Sequence, residues 1–156
     1  MKTYVLTSTL PHVYHVANNM READIEELTA VGNVSPETAL MSGYLESKPY
    51  CYTGMKDGTP FTMFGVVPMD RELKTGSIWL LATNDLTNDV PISFLRQSRK
   101  FLPTLLEPYD MVFNCVYEKN TVHIKWIQWL GFTFIRRVTL GPYNKTFLEF
   151  ARLNHV

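Results

Sequence analysis

Cysteine is scarce in this chain: two in 156 residues, with no CxxC pair and no histidine cluster near either. A disulfide framework and a zinc-type ligand set are both excluded on that count. Cys51 and Cys115 each fall in a strand-like run, where a buried, reduced thiol is the expected state. No apolar run approaches the ~18 residues of a membrane span. The N-terminus, MKTYVLTSTLPH, lacks an apolar core of signal-peptide length. The expectation is a soluble chain made in a reducing compartment. Neither sign of charge is in excess. Fifteen Lys and Arg balance fifteen Asp and Glu, the formal net charge is zero and the pI is near 6.9. No global field therefore draws the chain to nucleic acid or a membrane surface. The one basic concentration is local, at Arg96, Arg99 and Lys100. Nine prolines and eight glycines are scattered, so there is no low-complexity segment.

What is present is apolar and aromatic. Hydrophobic residues make up 46% of the chain and aromatic residues 13%, which describes a globular protein with a full core. Residues 1–156 are expected to form a single domain, with 1–12 as a loosely held arm ending near Pro11. Val13 to Ala17 is strand-like. Asn19-Met-Arg-Glu22 fits a capping box, opening a helix through Ile25, Leu28 and Val31 that Gly32 ends. Ser35-Pro36-Glu37 opens a second helix with cap, N1 proline and early acid in the right order. Its face is Leu40, Met41, Tyr44 and Leu45, and Pro49 stops it. Tyr50 to Met55 and Pro60 to Val67 form a hairpin around Lys56-Asp57-Gly58-Thr59. Pro68 to Thr75 is a polar loop. Gly76 to Thr83 is the most continuous apolar run, as a central strand buried on both faces requires. After the polar stretch Asn84 to Asp89, a helix begins near Pro91, and Pro103 is expected to bend or end it.

The stretch that organises the chain is Asp110 to Phe134, read as strand, turn, helix and strand. Asn120 is an N-cap residue type, and Gly131 sits where a helix C′ residue needs a left-handed backbone. Between them, Val122, Ile124, Trp126, Ile127, Trp129 and Leu130 spread over roughly 220° of the helix wheel, far more than the ~100° stripe of a surface helix. Only Lys125 and Gln128 fill the other sector. That helix is enclosed, or one side of it meets a partner. Phe132 to Leu140 and Lys145 to Leu153 close the chain as a hairpin around Gly141-Pro142-Tyr143-Asn144.

Asn120, Ile124, Leu130, Gly131 and Phe132, at that spacing, resemble the closing motif of GNAT-fold N-acetyltransferases. The element order β-α-α-β-β-β-α-β-α-β-β agrees with it. The resemblance implies an α/β (α+β) fold with a mixed central sheet of about seven strands flanked by about four helices. It also implies an acetyl-CoA site, with the cofactor bonded to the backbone of Leu81, Ala82 and Thr83 and lying beside Asn120. Two features of that site are missing. The family's general-acid tyrosine falls at Ile127, which has no proton to donate. The family's pyrophosphate loop is glycine-rich, whereas Thr83 to Ser93 contains no glycine, places Asp85 and Asp89 where the anion belongs, and loses an amide donor at Pro91. A capping loop with acids at the positive end of a helix accounts for these residues.

A narrower resemblance rests on AxxMRxxD near residue 17, the hairpin stretch DGTPFTMFGVVP over residues 57–68, IWLLATNDL and NxxHIxWxxWLGF. Together these are similar to phage-encoded proteins related to internal virion protein A of short-tailed phages. It implies a virion or assembly role in host cytoplasm or virion, with other virion proteins or a host protein as partners. No catalytic residue, metal or cofactor is expected on this reading. The alternative is an active acetyl-CoA-dependent N-acetyltransferase. A weaker alternative is a DNA-contacting packaging factor using Arg96, Arg99 and Lys100, although three charges give weak binding and a solvated helix face is the simpler account. Trp126 and Trp129 are interaction candidates, since tryptophan dominates interface hot spots, with core packing as the competing account. His123 is expected to be a core or rim histidine and Glu118 a solvated carboxylate. Asn114, polar within an apolar strand, either marks a splay between strands or bonds to a neighbour.

Overall fold

A computed structural model describes residues 3–86 and 92–154. Its described elements are β1 (Thr3–Thr7), α1 (Leu10–Asn18), α2 (Glu22–Gly32), α3 (Pro36–Glu46), β2 (Cys51–Lys56), β3 (Thr59–Asp70), β4 (Thr75–Ala82), α4 (Ile92–Leu106), β5 (Met111–Tyr117), α5 (Thr121–Trp129), β6 (Thr133–Leu140) and β7 (Lys145–Leu153). The seven strands form one mixed sheet, as the resemblance implies, and their order is β1-β2-β3-β4-β5-β7-β6. Only β4 and β5 run parallel.

Strand alternation assigns the two faces. Trp79 and Leu81 of β4 meet Val13, Val16, Leu40 and Met63, so α1 and α3 cover that side. Ala30 of α2 packs with Tyr117 and Phe147 farther along the same side. Ile78, Leu80 and Ala82 point the other way, into the larger cluster with Phe64, Phe94, Leu102, Trp126 and Phe150 beneath α4 and α5.

Four expectations need correction. The N-terminal arm is not loose: β1 pairs along its length with β2, and Gln97 Nε2 donates to the Thr3 carbonyl at 2.6 Å. Val13 to Ala17 is helical, not extended. Val13 and Val16, three apart, are both fully buried, a spacing that suits a helix face better than a strand. That adds a helix, giving five among the described residues. Asn19 does not cap α2, which starts from Arg21, and its side chain bonds back to the His15 carbonyl. Pro103 lies inside α4 without ending it. The carbonyl deprived of its donor is that of Arg99, an exposed residue, while Leu102, Leu105 and Leu106 hold the last turns by burial.

Local signals that behaved as read include Ser35, whose Oγ accepts from the Thr38 amide at 3.2 Å, and Gly131, at φ +83°. The Gly131 amide donates to the Gln128 carbonyl and the Phe132 amide to the Ile127 carbonyl, a Schellman closure of α5. Gly141 is set by packing: a Cβ there would lie 1.9 Å from the Ala30 carbonyl oxygen, so only glycine lets the β6–β7 turn rest on α2.

Candidate functional site

Parallel pairing between β4 and β5 lasts only from Thr75–Met111 to Ser77–Phe113. Beyond it, β4 stays with β3 and β5 stays with β7 along its whole length, so the two central strands part. A cavity of about 380 Å³ opens there, lined among others by Glu27, Leu81, Asn114, His123, Trp126 and Ile127. Asn114 stands at the base of the gap and bridges it. Its Nδ2 donates to the Ile78 carbonyl at 2.6 Å, and its Oδ1 accepts from the Cys115 amide at 2.7 Å. Both readings of Asn114 hold: it marks the splay and it is bonded.

The far end of the β4 edge is closed by the start of α2. The Ala82 amide donates to Asp24 Oδ2 at 2.8 Å, and the Ala82 carbonyl accepts from the Arg21 amide at 2.9 Å. Met20 adds a single antiparallel bridge to Thr83. Leu81 and Thr83 face the other way: the Leu81 carbonyl accepts from Thr62 Oγ1 and the Thr83 amide donates to the Phe61 carbonyl.

Around this closure lies a polar network that connects α2 with α5. Arg21 Nη1 donates to Asp24 Oδ1 at 2.8 Å and to Asn120 Oδ1 at 3.0 Å. Asn120 Nδ2 donates to Glu27 Oε2 at 2.6 Å and Asp24 Oδ1 at 3.0 Å. These two bonds use both hydrogens of the amide, so its contact with His123 Nδ1 at 3.2 Å is not a third donation. His123 Nε2 lies 3.2 Å from Asp24 Oδ1, close enough for charge pairing but outside hydrogen-bond geometry. Burial disfavours the charged form of each group, yet the neighbours decide two of the three. Asp24 is pushed up by burial but ends below the usual carboxylate range, because His123, Arg21 and Asn120 favour its anion. Burial pulls His123 down, and Asp24 and Glu27 more than reverse that, leaving it raised. Glu27 is raised, because burial there outweighs His123 and Asn120. Its side chain keeps 16% of its surface accessible and lines the cavity. The arrangement sets the His123 ring beside two acids, Asp24 and Glu27, and it places one carboxyl group, that of Glu27, on the gap.

Asn120 thus occupies the N-cap position of α5 but makes no side-chain cap bond; it is 1% exposed, and its side chain is spent on α2. His123 is a buried network histidine. Arg21, Asp24 and Glu27 escaped the sequence reading as a site, although spacing of three along one helix and the MRxxD pattern held the signal. Trp126 is 3% exposed and packs edge-on to Phe64, so it belongs to the core and presents no contact surface. Trp129 is half-buried: its indole donates to the Leu95 carbonyl, and Arg99 lies 4.0 Å over its ring. Arg96, Arg99 and Lys100 are exposed. Glu118 pairs with Arg137 at the surface. Cys51 and Cys115 are unpaired thiols, and burial pushes Cys51 up to about 11.

The fit of the acetyl-CoA site implied by the sequence can be tested on these bonds. Ala82 already has both main-chain groups engaged, Leu81 and Thr83 are turned to β3, and Asn120 is committed. In the loop that follows, the Asp85 amide donates to Thr83 Oγ1 and the Leu86 amide to the Thr83 carbonyl, so both close a turn instead of facing outward. The rest of that expectation, Asp89 and Pro91 included, lies outside the described residues. The described residues do not fit the cofactor as the resemblance would place it.

No protein-family model and no curated protein matches the chain. Solved structures do. A spermidine N-acetyltransferase SpeG chimera from Vibrio cholerae and hSSAT superposes with a TM-score of 0.70 at 7% identity, covering 98% of this chain and 96% of that one. Aminoglycoside acetyltransferase AAC(6')-Ib in complex with coenzyme A gives 0.66 at 14%, covering 98% and 95%. A GNAT-family acetyltransferase from Streptococcus pneumoniae gives 0.65 at 9%, covering 97% and 99%. The fold is that of the GNAT acetyltransferases; at these identities the likeness extends to the fold and no further.

Proposed function

We propose that this chain uses the acetyltransferase fold as a binding scaffold, in the role of a phage virion or assembly protein. On this reading its partners are other virion proteins or a host protein, met in the host cytoplasm or in the particle. The observation that carries the scaffold part is the β4 edge: Ala82 is bonded on both sides by Asp24 and Arg21, and Asn114 occupies the Ile78 carbonyl. The virion part rests on the motif residues, among them His123 and the Arg21–Asp24 pair. Losing two charge-assisted hydrogen bonds of ~1.5–3 kcal/mol each weakens a cofactor by roughly two to four powers of ten. Calorimetry with acetyl-CoA and with CoA is therefore expected to show no saturable binding below ~100 μM. Micromolar binding of either would overturn the scaffold reading. Mass spectrometry of purified particles and assembly intermediates of the encoding phage tests the other part, and absence from both would count against it.

One observation favours the second reading, an active N-acetyltransferase. Glu27 presents a carboxylate of raised pKa to the cavity, as a general base for an amine would. Micromolar acetyl-CoA binding would bring that reading forward. DNA contact through Arg96, Arg99 and Lys100 is weaker, because Arg99 is already stacked on Trp129 and bonded to its carbonyl.

A further inference from the structure

The helices that cover the two faces of the sheet are segregated by charge. Helices α2 and α3 carry Glu22, Asp24, Glu26, Glu27, Glu37 and Glu46, with no Lys, Arg or His. Asp24 and Glu27 turn into the buried network; Glu22, Glu26, Glu37 and Glu46 are exposed. On the other face, α4 and α5 carry Arg96, Arg99, Lys100 and Lys125, all exposed, and no Asp or Glu. Four surface carboxylates thus oppose four surface cations across a chain of zero formal charge. Each layer also has apolar surface to cover. Ile25, Val31 and Leu45 are 40%, 46% and 60% exposed among the acids. Beside α4, a groove of about 1020 Å³ runs toward the β6–β7 end of the sheet, lined by Arg99, Leu102, Leu130, Ile135, Arg152 and Leu153 among others. Ile135 and Leu153 are 56% and 62% exposed, and no carboxylate lines the groove. Arg99 and Arg152 donate to the Trp129 and Leu130 carbonyls, and neither forms an ion pair among the described residues.

We infer that copies of this chain associate head to tail, the acidic α2–α3 layer of one seated on the basic α4 layer and adjoining groove of the next. A second copy is the occupant these charges select. Nucleic acid would satisfy the basic layer and be repelled by the acidic one, whereas one further copy supplies both complements in equal number. Because the layers lie on opposite faces of the sheet, the contact is heterologous, and repetition yields a ring or an open filament. This goes beyond the scaffold reading and stands whether or not CoA binds, so sedimentation and calorimetry fail independently.

The test is analytical ultracentrifugation of the intact chain across ionic strength, with two charge-reversed proteins. Arg96→Glu with Lys100→Glu leaves the α4–α5 layer with no net charge, two cations against two acids; Glu22→Lys, Glu26→Lys and Glu37→Lys together make both layers basic. All five positions are exposed, and circular dichroism checks that each protein is folded. The unmodified chain is expected to associate at low salt. The contact should weaken about tenfold or more as salt shortens the screening length from ~10 Å toward ~3 Å. Each reversed protein should be monomeric by itself, and mixing the two should restore association. A monomer at ~100 μM in low salt overturns the inference. So does association indifferent to salt and to both reversals, or a reversed pair that stays apart on mixing. Salt-sensitive uptake of a DNA duplex by a monomer would overturn it in favour of the other occupant.

Discussion

The two halves of the β4–β5 boundary are held by different chemistry. From Thr75 to Ser77 the strands share an ordinary parallel ladder, next to buried Val66 and Val112. From Ile78 to Thr83 the ladder is gone, and side chains bridge what backbone no longer does: Asn114 at the base, Asp24, Arg21 and Asn120 at the top. A ladder spreads its energy over many equivalent bonds. A side-chain closure concentrates it on a few atoms, at least one of them a fully buried charge. The upper half should therefore be brittle to single substitutions that the lower half would absorb.

The sharpest way to break that contrast is Asp24→Ala. It strands the Ala82 amide and leaves Arg21 and His123 without their common anion, a loss of ~3–5 kcal/mol for one partner of a buried pair. A urea midpoint within error of the parent would refute the closure as described. Gly131→Val comes next, at ~1 kcal/mol or more, because a β-branched residue resists φ +83° and its Cβ would lie 3.3 Å from Arg152 Nη1. An unchanged midpoint with an unchanged slope would argue against the Schellman cap. Asn114→Ala removes the bridge at the base and should cost ~1 kcal/mol. If it cost as much as Asp24→Ala, the two ends of the gap would not differ as argued.

The smallest expected effect is a pH slope. His123 is raised from its ordinary 6.5, so its contribution is fully present below that value and is lost as pH rises through its folded value. Asp24 has the opposite sign: lowered from 3.8, it adds stability above that value and loses it as pH falls through its folded value. Glu27, raised from 4.5, titrates with the sign of His123. Urea midpoints should fall from pH 4.5 upward through Glu27 and further from 6.5 upward through His123, and His123→Gln should flatten the upper part of that fall. A variant that keeps the full slope would remove His123 from the network's charge balance.

How much was legible depended on distance along the chain. Ser35 caps from three residues away, Gly131 closes a helix within five, and both hairpins turn on adjacent residues, so residue type sufficed. Six of the seven strands followed from runs of that kind; β1, within the stretch expected as an arm, did not. Asn120 shows the limit. Its type says cap, but its partners are Arg21 and Asp24, 99 and 96 positions earlier, and tertiary bonds overrode the local preference. Pro103 does not end α4 for the same reason, since burial of Leu105 and Leu106 outweighs a broken backbone bond. The Val13 to Ala17 reading failed through β-branched composition, which the 13, 16 spacing should have outvoted.

The separation between Arg21 and Asn120 also bears on the order of events during folding. Closing a loop of that length is entropically expensive, and the network's bonds have directional requirements that a loose intermediate does not meet. The charges of α2 therefore wait in water until α5 arrives from the far end of the chain. Contacts that form that late belong to the descent from the barrier and not to the climb. Weakening them should leave the refolding rate nearly unchanged and hasten unfolding, so the network sets how long the native state lasts once formed.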